Sequence, residues 1–379
     1  MKLHSFASLA IAIFLVSCRS SAAPSTVTPT QESPTATFTR APTNTPAPTF
    51  TPTRSPTKTP KPTNTATPTE PPPPTATPMA TRVTTDTAIA LVGLNSFAES
   101  LVWSPDGRFL YVGTKDKGLA AFNVEPQQWV YLVGGNDTRV HALAISPDGK
   151  TIAAGLVNDG SIRLLAADTG DLLQTIWPAH EGWPQVIAFS PTGELMASGG
   201  DDGRILLWDV ATGKMIKELS KGTDWVWGLA FSPNGRILMA GFHTEYQFRV
   251  WDTKTWALAN TFDGDQAADL AFSPDGSKVV TAGGGIHEAN LWDVRTGKQL
   301  FNLREAPGWV WAVAYDPKGK FVASGGIGEV VILWDVATGK PAREFYTGPD
   351  FIQALAFSPD GTKLASAGLQ VLLWDMTLP

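Results

Sequence analysis

Beyond residue 86 the chain is a succession of short apolar runs divided by polar turns, and no stretch keeps a helical period. Runs such as Val226 to Phe231 and Ile237 to Gly241 are rich in Val, Ile, Leu, Ala and aromatic residues, the composition of strands. The turn between such runs recurs seven times: Ser104-Pro105-Asp106-Gly107, Ser146-Pro147-Asp148-Gly149, Ser190-Pro191-Thr192-Gly193, Ser232-Pro233-Asn234-Gly235, Ser273-Pro274-Asp275-Gly276, Asp316-Pro317-Lys318-Gly319 and Ser358-Pro359-Asp360-Gly361. The prolines stand 42, 44, 42, 41, 43 and 42 residues apart, so one supersecondary unit is repeated seven times. In each copy Ser or Asp opens the turn, Pro presets φ at the second position and Gly accepts the strained last one, so a hairpin is predicted at every copy.

A third strand in each unit ends on an aromatic or apolar residue followed by a polar one, as in Trp208-Asp209, Trp251-Asp252, Trp292-Asp293, Trp334-Asp335 and Trp374-Asp375. The first two units have drifted to Phe122-Asn123 and Leu165-Ala166. A turn such as Thr212-Gly213-Lys214 follows, then a more polar fourth strand such as Met215 to Leu219. Each unit is therefore expected to be a four-stranded antiparallel sheet.

Turn, dipeptide and period together make the chain similar to the WD40 repeat family over residues 86–379. The resemblance implies an all-β, seven-bladed β-propeller with four antiparallel strands per blade. It departs from the family in the Gly-His dipeptide, which most units lack. In the third unit Pro178-Ala179-His180-Glu181-Gly182-Trp183 occupies that place, and His180, Ser198, Asp202 and Trp208 stand at the family's matching positions. The resemblance implies that these four form a hydrogen-bonded brace within one blade.

First, second and third strands each occur seven times, but the sequence ends at Pro379, just after Trp374-Asp375. The seventh unit lacks its outer strand. Residues 87–93, Thr87 to Gly93, alternate apolar and small side chains and precede the first turn. They are expected to pair with Val371 to Trp374, closing the ring and covering an open sheet edge.

Before residue 86 the composition changes. Met1 to Ser17 carry a basic start and an apolar run from Phe6 to Val16, too short for a membrane span, and read as a signal peptide over residues 1–17. Leu15-Val16-Ser17-Cys18 resembles the bacterial lipobox, and Cys18 is the only cysteine. A lipidated N-terminus over residues 18–22 is expected, with an exported protein anchored to the cell envelope or surface through Cys18 and by that lipid alone. Residues 23–85 hold 16 of the 30 prolines and 22 threonines with almost no large apolar side chain, and are expected to form a disordered stalk.

Charge divides along the same line. Residues 19–82 are net +4, whereas residues 84–379 hold 22 basic and 33 acidic side chains. An acidic head without clustered Lys and Arg excludes nucleic acid as a partner.

Nothing in the head reads as catalytic or as a cofactor site. The five histidines are His4, His141, His180, His243 and His287, none at metal spacing and none with a cysteine beside it in the head. No nucleophile elbow of the Gly-x-Ser-x-Gly kind occurs. Gly283-Gly284-Gly285 and Gly325-Gly326 are not followed by a helix that could present its N-terminus to phosphate, and they read as inter-strand turns.

Binding is the more legible chemistry. The segment entering each innermost strand should lie on one face of the disc, and there the sequence places Trp183, Trp225, Trp227, Trp309, Trp311 and Phe351, with Arg139 and His141 at the matching place in the second unit. Asp224 and Asp350 directly precede an aromatic, and Glu181 stands two residues before Trp183. Aromatic rings beside carboxylates can hold cationic side chains or stack on sugar faces. In Trp225-Val226-Trp227 and Trp309-Val310-Trp311 the tryptophans share one side of a strand, so one of each pair is expected to be exposed. The expected function is a monomeric, non-catalytic scaffold for a protein or peptide partner, with envelope polysaccharide as the alternative ligand and an enzyme using the central channel as a third reading.

Overall fold

The computed structural model describes residues 81–83, 88–264, 266–283, 288–304 and 308–377. Among them every regular element is a strand, and seven sheets succeed one another along the chain. Two strands precede the first blade: β1 (Thr81–Val83) and β2 (Ala88–Ala90). Blade 1 comprises β3 (Ala98–Trp103), β4 (Phe109–Thr114), β5 (Gly118–Asn123) and β6 (Gln128–Gly134). Blade 2 comprises β7 (Val140–Ile145), β8 (Thr151–Leu156), β9 (Ile162–Ala166) and β10 (Leu172–Ile176). Blade 3 comprises β11 (Pro184–Phe189), β12 (Leu195–Gly200), β13 (Arg204–Asp209) and β14 (Met215–Lys221). Blade 4 comprises β15 (Val226–Phe231), β16 (Ile237–Phe242), β17 (Gln247–Asp252) and β18 (Ala257–Asp263). Blade 5 comprises β19 (Asp269–Phe272), β20 (Lys278–Ala282), β21 (Ala289–Asp293) and β22 (Lys298–Leu303). Blade 6 comprises β23 (Val310–Tyr315), β24 (Phe321–Gly326), β25 (Val330–Asp335) and β26 (Lys340–Tyr346). Blade 7 adds β27 (Ala354–Phe357), β28 (Lys363–Ala367) and β29 (Val371–Asp375).

The first strands of consecutive blades touch one another in cyclic order, β27 meeting β3, and so form the inner ring of a seven-bladed propeller. The fourth strand of blade 7 is β2. It pairs antiparallel with β29, Ala88 opposite Trp374 and Ala90 opposite Leu372, and Leu91 N–H donates to Val371 O at 2.9 Å. Strand closure follows the sequence expectation, from the shorter segment 88–90.

One strand lies where a stalk was expected. β1 runs parallel to β26, Thr81 opposite Arg343 and Val83 opposite Phe345, as a fifth strand on blade 6. The stalk assignment 23–85 therefore fails at residues 81–83. β26 is the outermost strand of its blade, and its unpaired backbone groups accept an added strand. Three residues are too few to show a period, which is why composition alone hid them.

The core lies between blades rather than within them. Each of seven apolar clusters draws on two neighbouring sheets; Trp334 seals the junction of blades 5 and 6, and Trp374 that of blades 6 and 7. All five tryptophans of the Trp-Asp dipeptides are buried. At one end of the ring the Ser-Pro-Asp-Gly turns are built as expected. Ser104 Oγ–H donates to Asp106 Oδ1 at 2.6 Å, Phe109 N–H donates to Ser104 Oγ at 2.9 Å, and Gly107 takes φ 72°. Each turn glycine backs onto the proline of the turn before it. A methyl added at Gly149 would lie 3.2 Å from Pro105 Cδ, and one at Gly107 would meet Pro359 Cδ at 3.7 Å, so the circle of turns is also complete.

Candidate interaction face

The opposite end of the ring carries the segments that enter the first strands and the loops that leave the second strands. Antiparallel connection puts both at that end, and one backbone bond ties them in blade after blade. Lys115 N–H donates to Phe97 O, Val157 to Arg139 O, Asp201 to Trp183 O, His243 to Trp225 O and Ile327 to Trp309 O, at 2.8 to 3.1 Å. Gly326 does not sit in a turn, as the sequence suggested, but ends β24. Its lack of a side chain is needed there, because a Cβ would collide with the Trp309 carbonyl.

A repeated β-bulge shapes the face. In blades 1, 2, 3, 4 and 6 the register skips one residue of the first strand, and the skipped residues are Glu99, His141, Gln185, Trp227 and Trp311. A bulged residue leaves the ladder and its side chain is re-aimed. The residue before each bulge (Ala98, Val140, Pro184, Val226, Val310) is buried between blades. The residue two before it (Phe97, Arg139, Trp183, Trp225, Trp309) and the bulged residue itself therefore share the loop end.

The predicted face residues fall into three groups rather than one continuous patch. In the first, Arg139 Nε–H donates to both Glu99 oxygens at 3.0 and 2.8 Å, His141 Nδ1 lies 3.2 Å from Glu99 Oε2, and the Arg139 guanidinium carbon sits 4.4 Å from the centre of the Trp183 ring. Burial pushes the Glu99 carboxyl up, but the bonds from His141 and Arg139 outweigh it and hold it below the usual carboxylate range. In the second, His243 stacks on Trp225 with ring centres 5.0 Å apart and meets Trp227 at 4.0 Å. Burial lowers the His243 pKa, with Asp224 pulling the other way. The third pairs Trp311 with Phe351 at 6.3 Å, across blades 6 and 7.

Exposure separates the tryptophans. Trp183 is 37% exposed, Trp309 46% and Phe351 40%. In Trp309-Val310-Trp311 one tryptophan is exposed and its partner half-buried, whereas in Trp225-Val226-Trp227 both are half-buried against His243.

The carboxylates do not serve as expected. Asp224 is buried; its Oδ1 accepts from Trp225 N–H at 3.0 Å and its Oδ2 from Thr244 and Glu245 N–H, both at 2.7 Å. Asp350 likewise accepts from the N–H groups of Phe351, Leu369 and Gln370 at 2.7 to 3.1 Å, and burial pushes its pKa up against those bonds. These acids brace two loops from inside and are not offered to a cation. Glu181 is exposed.

In blade 3, Trp208 Nε1–H donates to Ser198 Oγ at 2.9 Å, Ser198 Oγ lies 2.8 Å from His180 Nε2, and His180 Nδ1 lies 2.9 Å from Asp202 Oδ1. Indole can only donate and carboxylate only accept, so the proton order along the chain is Trp208 to Ser198 to His180 to Asp202. Burial raises the Asp202 pKa, but the bonds from His180, Glu181 N–H and Arg204 N–H leave it lowered. Among the described residues, blades 5, 6 and 7 show the inner link alone, from Trp292 to Thr281, Trp334 to Ser324 and Trp374 to Ser366. Cys18 and His287 lie outside the described residues. Among the described residues no group of His, Cys, Asp and Glu could hold a metal ion.

Glu99, Gln185 and His243 were missed from sequence. Glu99 and Gln185 could have been found, since they align with His141 when the units are superposed on their turns. His243 could not, because only the folded approach of two loops brings it to Trp225.

The model of the WD domain, G-beta repeat, matches residues 128–164, 170–209, 297–335 and 339–378. The chain carries four WD40 repeats. They supply the first three strands of blades 2, 3, 6 and 7. The model of eukaryotic translation initiation factor eIF2A also matches, over residues 195–287. Among curated relatives, small ribosomal subunit protein RACK1z of Arabidopsis thaliana is 32% identical over 34% of this chain and 39% of its own. A component of chromatin assembly factor 1 from Mus musculus is 28% identical over 50% of this chain and 27% of its own, and a periodic tryptophan protein 2 homolog of Dictyostelium discoideum is 25% identical over 56% and 24%. The chain thus spans well under half the length of these relatives. The solved structure of U3-55K superposes with a TM-score of 0.70 at 21% identity, over 77% of this chain and 99% of that one, a likeness of fold.

These relatives correct the expected location. By name they are a ribosomal-subunit protein and a chromatin assembly factor of a plant and an animal, beside a eukaryotic translation-factor match, and none is an envelope lipoprotein. The expectation of an exported, envelope-anchored protein rested on the first 18 residues, which lie outside the described structure.

Proposed function

We propose that this WD40 propeller is a non-catalytic scaffold that holds a protein or peptide partner against its bulged loop face. The observation that carries the reading is the repeated bulge. The same position in five blades is turned out of the ladder toward the end where Trp183, Trp309 and Phe351 stand exposed. Bulges interrupt pairing and are kept where they re-aim side chains, and exposed aromatics on rigid elements make binding anchors. The names of the relatives, from a small ribosomal subunit and a chromatin assembly factor, support a role inside a larger assembly.

The test is differential affinity capture with the full chain and with its Trp183→Ala, Trp309→Ala, Phe351→Ala triple variant. A partner captured by the first and lost from the second, with unfolding transitions that coincide, is the expected result. Identical capture by both removes the face from the account.

A further inference from the structure

On the reading of the loop face as a partner site, we propose that Arg139 anchors an oxyanion there, a carboxylate or phosphoryl group carried by the partner. Arg139 stands at the ring position that Phe97, Trp183, Trp225 and Trp309 fill in other blades, and it is held from several sides. Its Nε–H donates to both Glu99 oxygens, and its guanidinium carbon sits 4.4 Å from the centre of the Trp183 ring. Its backbone N–H donates to Asn158 Oδ1 at 2.9 Å, and its carbonyl accepts from Val157 N–H at 3.1 Å. Of the five N–H groups of an arginine side chain, only the one on Nε is spent. Those on Nη1 and Nη2 meet no acceptor among the described residues, and the side chain is 25% exposed with neither nitrogen a buried orphan.

Glu99 acts as a bracket. It is 6% exposed and has a second partner in His141 Nδ1, so it grips Nε and His141 together and leaves the far edge of the guanidinium unspent. Two other paired arginines lack this combination. Arg249 stacks on Phe242 but spends Nη1 on Ser220 and Nη2 on Glu245. Arg304 bonds Glu288 through Nε alone, but it is 75% exposed and no ring lies against it among the described residues. A planar fork of N–H groups matches two oxygens on one atom, the geometry of a carboxylate or phosphoryl group, whereas a carbonyl or hydroxyl offers one. Holding the guanidinium in advance removes much of the entropy that a mobile arginine loses on binding. Lys115 and Lys117, in the loop after β4, offset Asp116 and Asp137, and Lys117 bridges to Thr138 next to Arg139. With Arg139 set against Glu99 this sector is neutral, although residues 84–379 carry 33 acidic against 22 basic side chains, so an anion meets less repulsion here than the net charge implies.

The experiment titrates the full chain, isotope-labelled for NMR, with inorganic phosphate and separately with N-acetylglutamate α-amide, sodium chloride holding the ionic strength constant. The Arg139 Nε–H and Trp183 Nε1–H resonances report binding. Saturable shifts with a Kd of about 1–20 mM are expected from at least one probe. Arg139→Gln should abolish them. Arg139→Lys keeps the charge but loses the fork, and should weaken binding about three- to tenfold, read at Trp183. Lys298→Gln, in the turn between β21 and β22, should leave binding unchanged. Saturation by the glutamate derivative assigns a carboxylate, and saturation by phosphate alone assigns a phosphoryl group. No saturable shift from either probe, or shifts that survive Arg139→Gln, overturns the anchor. If neither probe binds while partner capture is still lost from the triple Ala variant, only the oxyanion site is refuted. If capture survives in that variant, the face itself is refuted.

Discussion

Ser198 and His180 meet at 2.8 Å between Oγ and Nε2, with both side chains closed off from solvent and each bonded onward, to Trp208 and to Asp202. The bond joins β12 to the segment that precedes β11, so it ties the floor of blade 3 to the loop that delivers Trp183. Ser198→Ala would leave an indole N–H and an imidazole nitrogen unpaired in a closed site, at a cost of about 2–4 kcal/mol. Ser324→Ala in blade 6 breaks only the Trp334 link and should cost about 1–2 kcal/mol. Urea unfolding of the two variants checks the difference; equal losses would mean that the longer chain adds nothing.

Ring closure can be tested by where the chain is made to begin. A chain starting at Ala88 keeps β2 on β29, whereas one starting at Val92 exposes the β29 edge over Trp374 and Leu372. The second should melt about 5 °C or more below the first, since the lost strand carries ladder bonds and covers part of an inter-blade core. Coincident melting curves would assign closure to the inner strands alone.

Local turn chemistry repeated seven times is readable because each copy carries its own physical reason, from the Ser104–Asp106 bond to the positive φ of Gly107. Strand closure was legible for a related reason: a missing fourth strand is a counting problem. β1 was not, since what holds Thr81–Val83 is the open edge of β26, which lies far along the sequence. The face was half legible. Repeat alignment finds Trp183, Trp225, Trp309 and Phe351, but Asp224 beside Trp225 reads as a partner for cations until the loop folds over it. Residues that act through a distant backbone N–H leave no local signature.

The loop braces predict a stability effect with a local readout. Asp224→Ala frees three N–H groups, on Trp225, Thr244 and Glu245, and should cost about 1–3 kcal/mol. It should also raise amide exchange in residues 243–246 while leaving β16 protected. Unaltered exchange there would remove the brace from the account.

Asp269 predicts a pH dependence. It begins the inner strand of blade 5, accepts Val313 N–H of blade 6 at 3.0 Å, and burial pushes its carboxyl up to about 7. A raised pKa means that the folded state prefers the protonated form. That contribution is complete below about pH 4, where the unfolded group also binds its proton, and is lost as pH rises through 7. Asp269 keeps some contact with solvent, which reduces the effect to about 2 kcal/mol. The stability difference between Asp269→Asn and the parent should therefore shift in favour of the variant between pH 4 and pH 8. A difference that stays flat across that range would mean an ordinary carboxylate.

The last contrast separates binding tryptophans from structural ones. Trp334 is 2% exposed, seals two blades and bonds Ser324, so Trp334→Ala should cost about 3–5 kcal/mol. Trp309 is 46% exposed and its indole has no acceptor among the described residues, so Trp309→Ala should change stability by about 0.5 kcal/mol or less. Chemical denaturation of both measures the gap. A large loss at Trp309 would make it a packing residue, and its exposure would then be incidental to binding. A small loss leaves an aromatic side chain held in water at some solvation cost and no structural return, which is the energetic signature of a residue retained for contact with something else.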